Sequence, residues 1–225
     1  MIIPLSYPLR SESPLYPGTP SVAIKSHKAI SRGDSSNTSM LTFSSHAGTH
    51  VDVPRHFCPA GKTVNDIFQT ASSFSPAYCI DLPVSGDTCI RPEEIDGLLA
   101  GKEDAGALLI RTGAGALRDS MPEAYTTEHP WIHARVAPWI RRKCPRIRIL
   151  GIDAISISTP AHRQEGRESH RAFLCDDNPI LLLEDADLSS LHSDTRGLLT
   201  ILPWFIGDID GVPVTAFIST ETIQS

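Results

Sequence analysis

The stretch HAGTHVDVPRHF, residues 46 to 57, sets His46, His50, Asp52 and His56 within eleven positions, around Gly48 and Pro54. The chain has nine histidines, so a third of them fall here. Neutral imidazole and carboxylate are ligand types suited to zinc and manganese, and a donor set without thiolate points away from a closed structural zinc centre. Three protein ligands leave a position for water. A bound ion lowers the pKa of that water toward neutrality, making hydroxide available near pH 7 to attack a carbonyl, and stabilises the oxyanion that develops.

Regular structure limits how these donors can meet. On a helix, His46 and His50 share a face, but Asp52 turns away from His46, and Gly48, Val51, Val53 and Pro54 all oppose a helix. In a straight strand the even-numbered donors point one way, yet a rise of about 3.3 Å per residue would set His46 and Asp52 roughly 20 Å apart. Ligands of one ion lie only about 2.0–2.2 Å from it. The backbone must therefore reverse at Ala47-Gly48-Thr49 and then run extended from His50 to Asp52. The expectation is a loop entering a short strand, with His46, His50 and Asp52 on one metal. His56, held beyond the stiff Pro54, is placed to accept a proton from the nucleophile and pass it to the leaving nitrogen.

The surrounding elements are mostly strands. Short apolar runs predict strands over 40–43, 77–82, 107–111, 147–157, 180–184, 198–203 and 212–218. Helices are expected over 92–99, 130–143 and 166–174; the first has proline in its first turn, and the second ends on Arg141, Arg142 and Lys143, favoured by the dipole. Prolines in the first 20 residues suggest an extended N-terminal segment with a turn at Tyr16-Pro17-Gly18. Strands and helices in mixed order indicate an α/β or α+β fold with a large mixed sheet. The chain reads as one domain over 1–225.

Composition narrows the partners. Apolar residues make up 40% of the 225, enough for a substantial core. A net charge of −6 argues against nucleic acid or an anionic membrane as the main partner. No apolar run reaches the length of a membrane span, and the opening MIIPLSYPLRSESPLYPG lacks the features of a signal peptide. Cys58, Cys79, Cys89, Cys144 and Cys175 are dispersed without CxxC spacing, which reads as reduced thiols in a cytoplasmic protein.

Other groupings carry less. Ala60-Gly61-Lys62-Thr63 lacks the first glycine of a phosphate loop, and Gly113-Ala114-Gly115 lacks the context of a dinucleotide fold. His129 and His133 read as exposed helix residues. His162, Arg163, Glu165, Arg167 and Glu168 read as a solvated segment.

HAGTHVDVPRHF closely resembles the HxGTHxDxPxHF signature of the cyclase-like metal-dependent hydrolases, which include bacterial kynurenine formamidases and isatin hydrolases. Further matches follow in order along the chain: Leu15-Tyr16-Pro17-Gly18, Ile110-Arg111-Thr112-Gly113, Leu150-Gly151-Ile152-Asp153-Ala154-Ile155-Ser156 and Asp210-Gly211-Val212-Pro213-Val214. The resemblance implies a swivelling β/β/α-type fold and zinc or manganese as one or two ions. His46, His50 and Asp52 would hold the first ion, with Asp52 bridging to a second. His170 and Glu184 would complete the set, Glu184 reaching both ions and Asp185 being a competing carboxylate. His56 falls on the catalytic histidine, and Tyr16 where formamidases carry a tryptophan against the substrate ring. The interval from His170 to Glu184 is two residues longer than the family's, with residues 176–178 absorbing the excess. Thr19 stands where many formamidases have aspartate.

The reading is a metal-dependent hydrolase of a small-molecule formamide or cyclic amide, arylformamidase-like, and by resemblance a homodimer. The alternatives are a lactonase or cyclase using the same metal site, and a non-catalytic, metal-stabilised ligand-binding protein.

Overall fold

Four successive apolar residues open the strand Ala107–Arg111, so both of its faces must be covered. They are: Ala107, Leu108, Leu109 and Ile110 are all fully buried. Ala107 and Leu109 join one apolar cluster while Leu108 and Ile110 join another, the alternation a pleated strand imposes.

The computed structural model describes residues 1–193 and 195–220. Its first half contains β1 (Ile2–Pro4), β2 (Ala23–Lys28), β3 (Thr38–Thr42), β4 (His50–Asp52), α1 (Val64–Phe68), β5 (Ser73–Asp81), β6 (Cys89–Ile90), α2 (Pro92–Ile95) and β7 (Ala107–Arg111). The second half contains α3 (Pro122–Thr127), β8 (Trp131–Ile132), α4 (Val136–Lys143), β9 (Ile149–Ile152), α5 (Arg163–Leu174), β10 (Leu181–Glu184), β11 (Arg196–Pro203) and β12 (Gly211–Ser219). Eight strands form one mixed sheet in the order β1-β12-β11-β5-β7-β9-β10-β4, and β4 also pairs with β12, closing the sheet into a barrel-like ring. Strands β5, β7, β9 and β10 run parallel, so crossovers containing α2, α4 and α5 must connect them.

Closure divides the core. Val51, Leu109, Ile149, Leu183, Val212 and Ala216 belong to the cluster enclosed by the ring. Leu108, Ile110, Leu150 and Leu182 face the other way and pack with Ile140 of α4 and Phe173 of α5. Each buried Leu or Ile contributes on the order of 1.5–3 kcal/mol relative to exposure. The period-2 alternation also decides chemistry: with Val51 turned into the ring, His50 and Asp52 must point out of it, toward α5.

Several expectations are corrected by tertiary context. The strand expected over 147–157 stops at Ile152; residues 153–158 bend away, with Glu184 accepting the Ile157 N–H and Asp153 the Thr112 N–H. The helix expected over 130–143 begins only at Val136, because Trp131–Ile132 pairs with β6. His129 is 1% exposed and lies outside any helix, its Nδ1 beside the Pro130 carbonyl.

The expectation of five separate thiols also fails. Cys58 and Cys175 are joined by a disulfide across 117 residues, leaving Cys79, Cys89 and Cys144 free. Distance along the chain hid this pair, since the fold alone brings the loop after His56 against the end of α5. With it goes the cysteine argument for a reducing compartment. No helix among the described residues is long and apolar enough to cross a membrane.

Candidate metal centre

The turn at residues 47–49 forms at Gly48, whose φ of 63° lies in the left-handed region. It does more than reverse the chain. The Gly48 carbonyl stands 2.9 Å from His50 Nδ1, so Nδ1 donates there and Nε2 is left with its lone pair toward the sheet's outer face. His170 repeats the device from α5, its Nδ1 lying 2.8 Å from the Gly166 carbonyl one turn earlier. Gly166 lets α5 lie close, because a Cβ there would fall 2.3 Å from Ser158 Cβ.

Strand register supplies the carboxylates. Antiparallel pairing of β10 with β4 sets Glu184 opposite His50 and Leu182 opposite Asp52. Glu184 Oε1 accepts from the Ile157 backbone N–H at 2.7 Å and the Ser156 hydroxyl at 3.0 Å. His50 Nε2 then lies 3.5 Å from Glu184 Oε2 and 3.4 Å from Asp52 Oδ1, and His170 Nε2 lies 3.5 Å from Glu184 Oε1 and 3.6 Å from Asp52 Oδ2.

These separations are too long for good hydrogen bonds. They match the roughly 3.4 Å between two ligand atoms that each stand about 2.1 Å from one tetrahedral ion. Asp52 Oδ2 is buried with no hydrogen-bond partner, a desolvation cost that a bound cation would offset. The residues present therefore fit a divalent ion. His50, Asp52 and Glu184 form one group of mutually close donors, and His46, Asp52 and His56 form a second that shares Asp52.

His46 and His56 are organised by Asp210, at the turn into β12. Its Oδ2 lies 2.9 Å from His46 Nε2 and 2.9 Å from His56 Nδ1, while Ser45 Oγ donates to Oδ1 at 3.2 Å. The other His46 nitrogen, Nδ1, lies 2.8 Å from Asp52 Oδ1. The neighbouring Gly211 makes room for this: a Cβ there would stand 2.6 Å from His46 Cε1 and 2.9 Å from the Val51 carbonyl. His56 points Nε2 at the centre, 3.9 Å from Asp52 Oδ2.

The electrostatics of the metal-free centre follow. Burial alone would depress the His46 pKa, but Asp52 and Asp210 overcome it and raise it to about 9. His50 and His170 are likewise raised against their burial, His50 by Asp52 and Glu184 and His170 by Glu184 and then Asp52. For Glu184, burial and the Asp52 charge push upward, yet the neighbouring His170 and His50 imidazoles hold its pKa below the ordinary value. Hydrogen bonds from His46 and His56 hold Asp210 far below the usual carboxylate range.

The structure thus brings His50, Asp52 and Glu184 together, sets His170 against the other oxygen of each of those carboxylates, and places His46 and His56 beside Asp52. Tyr16 lies in the same cavity, of about 480 Å³, at a turn closed by Thr19 N–H donating to the Tyr16 carbonyl. Burial raises its phenol pKa. Sequence reasoning gave no role to Asp210 or Ser156, although both sit in quoted motifs. The available signal was an acid directly before a strand-opening glycine, and a hydroxyl three residues after Asp153.

Comparison with known proteins agrees with this arrangement. Residues 3–159 match a family model described as "Putative cyclase". Kynurenine formamidases of Bacillus cereus and Bacillus anthracis are each 31% identical over 217 residues, covering 96% of this chain and 96% of theirs. Among solved structures, isatin hydrolase A from Labrenzia aggregata bound to benzyl benzoate superposes with a TM-score of 0.79 at 20% identity, covering 98% of this chain and 94% of that one.

Proposed function

The chain belongs to the cyclase family, and on that premise we propose that it is a metal-dependent hydrolase of carbon–nitrogen bonds, acting on formamides or cyclic amides. The observation that carries this reading is the convergence of the His50 and His170 Nε2 atoms on the two oxygens of Asp52, one of which, Oδ2, has no hydrogen-bond partner, with Glu184 beside both imidazoles. The names of the relatives, kynurenine formamidase and isatin hydrolase, fit the same reaction class.

His46, His50, Asp52, His170 and Glu184 form the ligand set for one or two ions, Asp52 being common to both groups of donors. A zinc or manganese ion held there supplies Lewis-acid polarisation of the carbonyl and acidifies water. The chain's own groups do the rest. His56 Nε2 takes the proton of the attacking water and returns it to the departing nitrogen. Asp210 fixes the His56 ring by accepting from Nδ1–H, which commits Nε2 to proton transfer. Tyr16 and Phe57 line the cavity and hold the apolar part of the substrate. His46 must shed its proton to act as a ligand, since both of its nitrogens face carboxylates in the metal-free chain.

The test is elemental analysis of protein purified without added metal, followed by a panel of aryl formamides and cyclic amides. Stoichiometric zinc or manganese with formate release or ring opening is expected. Absence of a bound metal, or no turnover after loading, would remove the reading.

Two further parts belong to the proposal. Residues 1–225 act as one domain, with both apolar clusters lying on the two faces of one sheet. The protein also acts as a homodimer. On the hairpin β2–β3, Ile24 and Leu41 are exposed and line one hollow with the exposed Trp204, an apolar surface of the kind that marks an interface. Sedimentation of the purified protein checks this.

A further inference from the structure

Two arginines that the reaction does not use line the cavity. Arg163 and Arg167 lie one turn apart on the same face of α5, at the exposed mouth above the buried donors. Nothing local rewards two cations there. Like charges at this spacing repel, and the first turns of a helix disfavour positive charge. Among the described residues neither Arg163 nor Arg167 has a carboxylate within 4 Å, so both guanidinium groups at this cavity are open to a ligand. Glu165 and Glu168 sit on the same helix, but Glu168 receives Gln164 instead, and neither acid lines the cavity. Asp52 and Glu184, the acids that do line it, are at the floor and are held by imidazoles. The Tyr16 phenol lies within electrostatic reach of both guanidinium groups, so the pair overlooks the place where the substrate's apolar part would rest.

We propose that Arg163 and Arg167 form a carboxylate-binding subsite, so that the amide this protein hydrolyses carries an anionic group. The inference rests on the hydrolase reading and adds the substrate's charge to it. A guanidinium fork pairs with a carboxylate through parallel hydrogen bonds, and two forks one turn apart accept such a group from either side of a ring. The scissile amide then reaches the floor while the anion stays at the rim, which excludes neutral amides of the same size by weaker binding.

The experiment compares formanilide with 2-, 3- and 4-formamidobenzoate on the metal-loaded full chain, and the binding of the matching aminobenzoates with that of aniline by calorimetry. The best formamidobenzoate should exceed formanilide in kcat/KM by about tenfold or more, chiefly through KM. In R163Q/R167Q that ratio, and the matching ratio of binding constants, should fall toward one. The preference should also weaken as salt is raised. Equal treatment of charged and neutral compounds by the unaltered protein would overturn the subsite. So would a preference that survives the double substitution, because the anion would then be held elsewhere. If none of the compounds is turned over, the hydrolase reading is what fails, and the aminobenzoate binding ratio still decides the subsite.

Discussion

Glu184 and Asp185 leave the end of β10 side by side, both buried, into surroundings that differ in their supply of donors. Asp185 is saturated. Its carboxylate accepts from Arg118 Nε and Nη2, each at 2.8 Å, and from the Tyr125 hydroxyl at 2.6 Å. Its carbonyl accepts from Thr49 Oγ1 at 2.6 Å, and the Tyr7 ring lies 4.0 Å beneath the Arg118 guanidinium. Glu184 has donors fixed on Oε1 only; Oε2 meets an imidazole nitrogen at 3.5 Å. Two acids with the same burial are thus distinguished by satisfaction. The closed network has no capacity left for a ligand, and the open one has lone pairs aimed at a common point.

Substitution should separate the two most sharply. Glu184→Ala should reduce bound metal to background and abolish turnover. Asp185→Ala should leave the metal content of the folded protein unchanged while destabilising it by about 3–5 kcal/mol, since the buried Arg118 would keep only the exposed Asp119, 3.7 Å away, as a partner. Elemental analysis paired with denaturant unfolding reads both effects. If Asp185→Ala lost the metal and Glu184→Ala kept it, the assignment of roles along β10 would be reversed.

The second contrast lies between holding and reacting. His56→Ala should lower kcat by about 10²–10⁴-fold with metal retained. Full activity in that variant would mean that the proton travels elsewhere. Asp210→Asn should cost less, about 10–100-fold, the usual loss when a hydrogen-bond partner that orients a site imidazole is changed. Because Asp210 also touches His46, metal affinity should be measured alongside kcat. A fall in affinity at constant kcat would place Asp210 on the ligand side of the centre.

Much of this could be read from residue order because the donors are local. His46, His50, Asp52 and His56 fall in one stretch, and the reversal at Gly48 follows from convergence alone. Strand β7 was legible to the residue, since ALLIR has nothing to offer except two buried faces. The edges of the fold were not. Strand β8 and the short α4 emerged where an uninterrupted helix had been expected, because pairing with β6 outweighs local helical spacing. The Cys58–Cys175 bond and the reach of Asp210 across 154 residues to His56 are products of topology, for which spacing carries no signal. The choice between Glu184 and Asp185 stayed open for the same reason. It depends on Arg118 and Tyr125, which approach from a separate part of the chain.

The smallest expected effect tests whether the open network is held by imidazolium when metal is absent. His46, raised from 6.5 to about 9, contributes stability that is fully present below pH 6.5 and is lost as pH climbs through 9. The carboxylates with lowered pKa values are fully ionised throughout that window and add no slope. His129, lowered by burial, affects stability only below the ordinary histidine range. Chelated protein should therefore lose about 1–3 kcal/mol between pH 6.5 and 9. Loaded protein should not, because its ligand imidazoles are already neutral and metal uptake releases their protons. Denaturant midpoints of the two forms across this range provide the measurement. A flat profile for the chelated form would mean that the acids are balanced in some other way, and the contrast with the saturated Asp185 network would lose its electrostatic basis.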